Sequence, residues 1–178
     1  MTAKPLTEEQ KRVRHERAVR AGKRSKAKGS SFERDIVHRF RELAPEARRG
    51  IGQARTAGEV CDVEGTPYWL ECKHRKQIDL EEAIQQADRD TDGRLPIVVY
   101  RVNGTRSLMV AMRAPVFLRL IDVLNGRGLL PLGLRSIAEV SYRATDALPE
   151  IDPMIVRVSF DAFLLLALAV KRKTRYGG

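Results

Sequence analysis

Cysteine is scarce: the 178-residue chain holds two, Cys61 and Cys72, with three histidines. A disulfide framework of the kind that staples small secreted domains is not expected, and the pair reads as small apolar residues turned into a core. A structural zinc site wants about four ligands, and the scattered histidines add no spacing that completes one. Aromatic residues make up only 6%, which leaves little for base stacking and disfavours a basic RNA-associated protein. The longest apolar run, residues 162–170, is too short to span a bilayer. The N-terminus is charged throughout, unlike a secretory leader. These absences lead to the expectation of a reducing, cytosolic protein with no membrane part.

Positive charge is plentiful and uneven. The net charge is +10. Residues 1–29 carry +7, residues 171–178 carry +4, and the stretch between them carries −1. A near-neutral body with two basic arms points to an anionic partner, commonly nucleic acid. A solubilising tail is the plainer alternative.

The stretch at residues 60–73 carries the chemistry. Residues 60–64 are expected to form a short strand, Gly65-Thr66-Pro67 a turn, and residues 68–73 a second strand. Side chains alternate along a strand, so Glu71 and Lys73 share a face and Cys72 points the other way. Hairpin pairing brings Asp62 close to Glu71. Cys61 and Cys72 are both expected to turn away from the carboxylates, into the core. Two carboxylates at one point repel, and a hard cation such as Mg²⁺ relieves them. An acid two before a lysine is itself common at this composition, since roughly one such triplet is expected and two occur. A surface salt bridge on a hairpin is the plain alternative.

Other residues surround this stretch. Ser30-Ser31 is expected to open the first folded helix, with Phe32, Ile36, Val37 and Phe40 as its buried stripe and Glu33 at the stripe's edge. Glu33 equally suits a first helical turn for dipole reasons alone. Upstream, Thr7 is expected to cap a helix running toward Arg20, followed by a flexible basic linker at residues 21–29. The run at residues 48–58 is rich in Gly and Arg, which suits close approach to phosphates. Asp79 is a cap for a helix at residues 79–87 that carries Gln85 and Gln86 beside its apolar stripe.

This pattern resembles the restriction-endonuclease-like nuclease superfamily, whose core motif is Asp, a spacer, Asp or Glu, any residue, then Lys. Within it the chain looks most like the archaeal-type and phage-type Holliday junction resolvases, over residues 28–123. The family usually has Pro before the motif Asp, and Cys61 stands there instead. The resemblance implies a restriction-endonuclease-like core and Mg²⁺, with Mn²⁺ able to substitute. It implies metal ligation by Asp62, Glu71 and the Cys72 backbone carbonyl, with Glu33 completing the site. Lys73 and Gln86, preferred over Gln85, would join Glu33, Asp62 and Glu71 in catalysis. DNA contacts would come from Lys28, Ser30, Arg48, Arg49, Arg55, Arg75 and Lys76. The implied partner is branched DNA, a four-way junction, cut by a homodimer in the cytoplasm of a bacterial or phage-infected host cell. A flap-type or general endonuclease and a non-catalytic nucleic-acid-binding protein are the alternatives.

The rest of the chain sets the fold class. Residues 95–100 read as a buried strand, Asn103-Gly104 as a turn, residues 108–112 as a strand and 114–124 as a helix. Residues 137–142 and 154–158 read as further strands, and Ser159 or Asp161 as the cap of a last apolar helix through Val170. Six apolar positions of the second strand–helix unit repeat those of the first at an offset of 46 residues, which implies similar local shape. The expectation is an α/β or α+β fold with a mixed central sheet flanked by helices. It divides into an N-terminal arm, flexible or helical, at residues 1–29, a core at 30–126 and an extension at 127–178. The apolar surplus of the last helix suits either core cover or a dimer surface.

Overall fold

A computed structural model describes residues 7–50, 60–125 and 154–176. The elements are α1 (Glu8–Phe40), β1 (Arg48–Arg49), β2 (Val63–Glu64), β3 (Tyr68–Arg75), α2 (Leu80–Asp90), β4 (Leu95–Val102), β5 (Met109–Arg113), α3 (Ala114–Asn125), β6 (Ile155–Ser159) and α4 (Phe160–Tyr176). The strands lie in the order β1-β2-β3-β4-β5-β6 in one sheet. All neighbours are antiparallel except β3 and β4. This is an α+β protein with a mixed six-stranded sheet. Arg55 and the strand expected at residues 137–142 lie outside the described residues.

Alternation along the strands separates two apolar layers. Leu70, Ile97, Val99, Val110 and Met112 face the larger core with α1, α3 and α4. Trp69, Val98, Tyr100 and Ala111 face a smaller core roofed by Ala83, Ile84 and Ala87 of α2. Burial on both faces explains why β4 reads as an unbroken apolar run rather than an alternating one. Parallel strands need a crossover, and α2 supplies it. Asp79 Oδ1 accepts from Glu82 N at 3.0 Å and starts that helix.

The first and last helices meet on an aromatic cluster. Phe40 stands edge-on to Phe160, with ring centroids 5.5 Å apart, and lies 6.2 Å from Phe163. Tyr68 of β3 is 5.2 Å from Phe163. Phe160, Phe163, Leu164 and Leu166 are buried in the core. Core cover therefore accounts for the apolar surplus of α4 at these positions, although Leu165 is 61% exposed. The offset of 46 residues is realised in full. Strand β5 passes directly into α3 at Ala114, and β6 passes directly into α4 at Phe160. Ser159 is the cap, its Oγ accepting from Ala162 N at 3.2 Å.

Two expectations are corrected. The helix expected to begin at Ser30 begins at Glu8, and the expected linker at residues 21–29 is part of the same unbroken helix. Thr7 does cap it, in a reciprocal capping box with Gln10. The stretch contains no proline. Its two glycines cost about 1 kcal/mol each against alanine, too little to end a helix otherwise built of Ala, Lys and Arg with one Ser. Cys61 does not point to the same side as Cys72. Cys72 packs on the larger core, whereas Cys61 is buried in the smaller one beside Trp69. Strand β2 is only two residues long, so the alternation that predicts the direction of Cys61 stops before reaching it.

The aromatic junction yields a stability prediction. Phe40→Ala removes a fully buried ring that ties α1 to α4 and β3, and should cost about 3–5 kcal/mol of unfolding free energy. Urea unfolding followed by circular dichroism checks this; a loss under about 1 kcal/mol would mean that the helices are held together elsewhere.

Candidate active site

The hairpin between β2 and β3 aligns Val63 with Leu70, which sets Asp62 beside Glu71. Gly65 makes the turn at φ +73°, where a Cβ would lie 2.5 Å from the Glu46 carbonyl oxygen. Gly50 lets β1 come close on the other side. Its N–H donates to the Asp62 carbonyl at 3.0 Å, and a Cβ there would fall 2.0 Å from the Cys61 carbonyl oxygen. The backbone at Asp62 is thus held between two neighbours with no room for a side chain at Gly50.

Asp62 Oδ2 accepts from the Cys72 N–H at 2.7 Å. Burial first, and then the charge of Glu71, push the Asp62 carboxyl up to about 7. Glu33 on α1 adds to the rise, while the Cys72 N–H and Lys73 oppose it. Glu71 Oε1 lies 2.5 Å from Lys73 Nζ, and both side chains are 14% exposed. The same ammonium donates to Gln86 Oε1 at 3.0 Å. Lys73 is therefore bridged between β3 and α2, at the wall of a cavity of about 100 Å³ that Arg75, Ile78, Glu82 and Gln86 also line. Burial and the neighbouring carboxylates push the Cys72 thiol well up, so it stays protonated and does not serve as a thiolate.

The remaining expected residues are distributed around this centre. Glu33 pairs with Arg49 across α1 and β1. Gln85 faces away, donating to Glu81 at 2.8 Å. Lys28 Nζ donates to Asn103 Oδ1, Ser30 is half-buried in mid-helix, and Arg48 pairs with Glu64 at 2.8 Å. Arg75 and Lys76 are exposed. One group escaped the sequence altogether. Arg101 on β4, in register with His74, stacks on Phe32 at 5.5 Å and reaches Asp35 at 3.4 Å. No local pattern marks it, because its neighbours arrive through sheet pairing and from α1.

Among the described residues, no group of three or more His, Cys, Asp or Glu side chains is gathered to hold a metal. The donors set side by side are the carboxylates of Asp62 and Glu71. That suits Mg²⁺, which keeps several waters and commonly takes one or two carboxylates plus substrate oxygens. The raised Asp62 carboxyl marks the charge conflict that such a cation would relieve. Comparison with protein-family models, curated proteins and solved structures finds no match for this chain.

The Asp62 carboxyl is held above its ordinary value, so the folded state keeps its proton longer than the unfolded chain does. The stability that this one group contributes is therefore fully present below pH 4 and is lost as the pH rises through about 7. Asp62→Asn keeps the acceptor for the Cys72 N–H and removes the charge. It should raise the melting temperature at pH 8 and change it little at pH 4. Thermal melts at the two pH values check this; an equal shift at both would show that the carboxylate is not under strain.

Proposed function

We propose that this chain is a Mg²⁺-dependent endodeoxyribonuclease of the restriction-endonuclease-like kind that cuts branched DNA, with a four-way junction as its substrate. The observation that carries this is the gathering of Asp62, Glu71 and Lys73, with the Asp62 carboxyl raised by burial and then by the charge beside it. A mixed sheet whose motif strand is paired in parallel to its neighbour is compatible with such a core. The two free cysteines suit a reducing cytoplasm.

Asp62, Glu71 and the Cys72 carbonyl would hold the Mg²⁺, with Mn²⁺ as a substitute. The ion would make a bound water more acidic and offset charge on the phosphate. The chain's own residues do the rest. Lys73, anchored by Glu71 and Gln86, presents a compact ammonium to the phosphate oxygens or to the attacking water. Gln86 limits the swing of that ammonium. Glu33 would complete the site from α1, directly or through water. The bond cut leaves 5′-phosphate and 3′-hydroxyl ends. A homodimer would place two sites on the two exchanging strands. Lys28, Arg48, Arg49, Arg75 and Lys76 supply the salt-sensitive hold on the backbone.

A second reading is a non-catalytic DNA-binding protein. It is favoured by one observation: the Glu71 carboxylate is already engaged by the Lys73 ammonium at 2.5 Å, as in a plain ion pair. Cleavage of a synthetic four-way junction, a flap and a linear duplex in Mg²⁺ separates the readings. The expected result is junction cutting, reduced at least about 10²-fold in Asp62→Ala or Glu71→Ala, with binding in EDTA within a few-fold of wild type. A variant that cuts at the wild-type rate removes its residue from the mechanism. Mg²⁺ should also raise the melting temperature of the wild type at pH 8, and less so that of Asp62→Asn.

A further inference from the structure

The outer part of α1 buries nothing. Residues 8–27 are all exposed, and at 1.5 Å per residue they extend for about 30 Å. They contain Lys11, Arg12, Arg14, Arg17, Arg20, Lys23, Arg24 and Lys26 against Glu8, Glu9 and Glu16. One ion pair relieves this charge among the described residues, Lys11 with Glu8 at 2.7 Å. At 100° per residue the eight cations fall on every side of the helix, with no gap wider than about 60°. Val13 and Val19 are its exposed large apolar side chains, and they point about 120° apart. There is consequently no apolar stripe for a protein core or for the plane of a bilayer.

A helix with no packing face draws little stability from tertiary contacts, and like charges three and four residues apart repel. Arg17, Arg20, Lys23 and Arg24 stand in that relation. A flat anionic surface would satisfy only one side. Two phosphate ribbons flanking a groove satisfy several sides together, and the major groove of duplex DNA, about 12 Å wide, admits an α-helix. The helix also runs without a break into the body. Lys28 is fastened to Asn103, and Glu33, farther along, lies close enough to influence Asp62. From Glu33 to Glu8 the rise is about 38 Å.

We infer that residues 8–27 form a rigid lever that seats in the groove of a duplex arm of the substrate and grips it to one side of the site. This deepens the nuclease reading by naming the partner surface. At about 3.4 Å per base pair, a lever inclined with the groove reaches at most about nine base pairs along the arm. The full-length protein should therefore bind a 16-base-pair duplex much more tightly than a 6-base-pair one, with affinity levelling off once the arm outruns the helix.

The test is fluorescence anisotropy in EDTA, where binding is read without cleavage. A variant with Arg14→Gln, Arg17→Gln, Arg20→Gln and Arg24→Gln keeps good helix formers. It should bind the long duplex at least about tenfold more weakly, with a salt slope shallower by about 3 to 4, and should bind the short duplex nearly as before. Ala21→Pro keeps every charge and breaks the helix; it should also lose affinity for the long duplex. Gly22→Ala, whose added Cβ meets nothing within 4 Å, should bind as wild type. Wild-type affinity and slope in the four-Gln variant overturn the inference. Unchanged binding by Ala21→Pro overturns the rigid seating. Equal or tighter binding to vesicles of phosphatidylserine overturns the choice of partner. Absent cleavage with arm-dependent binding intact sinks the nuclease reading alone, and intact cleavage with arm-independent binding sinks this inference alone.

Discussion

Strand β3 is the constraint on which the rest depends. It is apolar at its start, where Trp69 and Leu70 are buried on opposite faces. It is charged further along, where Glu71 and Lys73 follow one another on one face. Its parallel partner β4 is buried on both faces, so helices must cover both sides of the sheet. Helix α2 covers one side because it connects the two strands. Helices α1, α3 and α4 cover the other, with α1 and α4 joined by Phe40, Phe160 and Phe163. The polar end of β3 then lies where the hairpin, α1 and α2 converge, and the acids collect there.

That convergence sets opposing forces against each other. Burial of Asp62 beside Glu71 is unfavourable, and an amide and an ammonium partly offset it. Proteins rarely keep such a conflict without a use for it, and carboxylates held above their ordinary range cluster where protons or cations are handled. The Lys73 ammonium is fixed from two elements at once, so its position does not depend on the β3 backbone alone.

The outer half of α1 belongs to a different physical regime from the body. The body is held by burial, with Ile36, Phe40, Leu70 and Ile97 fully enclosed. The projecting helix is held by its capping box and its own backbone hydrogen bonds. One element thus joins a packed core to a highly charged lever. A charge in the lever can be changed without disturbing the core, whereas a change near Phe32 or Phe40 affects both.

Local patterning determined much of this protein. The turn at Gly65, the caps at Thr7, Asp79 and Ser159, the two-faced burial of β4 and the repeated strand–helix unit each follow from a few adjacent residues. Their physics is short-range: dihedral preference, capping and alternation. The pairing of Asp62 with Glu71 was legible too, because a short turn fixes hairpin register. The direction of Cys61 and the continuity of α1 through residues 21–29 were not. The first depends on where a strand ends. The second depends on the absence of any force strong enough to stop a helix. Only the tertiary structure could bring Gln86 to Lys73, Arg49 to Glu33 and Arg101 to Phe32. Those contacts join residues 13 to 69 positions apart, and side chains so distant in the chain meet only when sheet pairing and helix packing have fixed where each element lies.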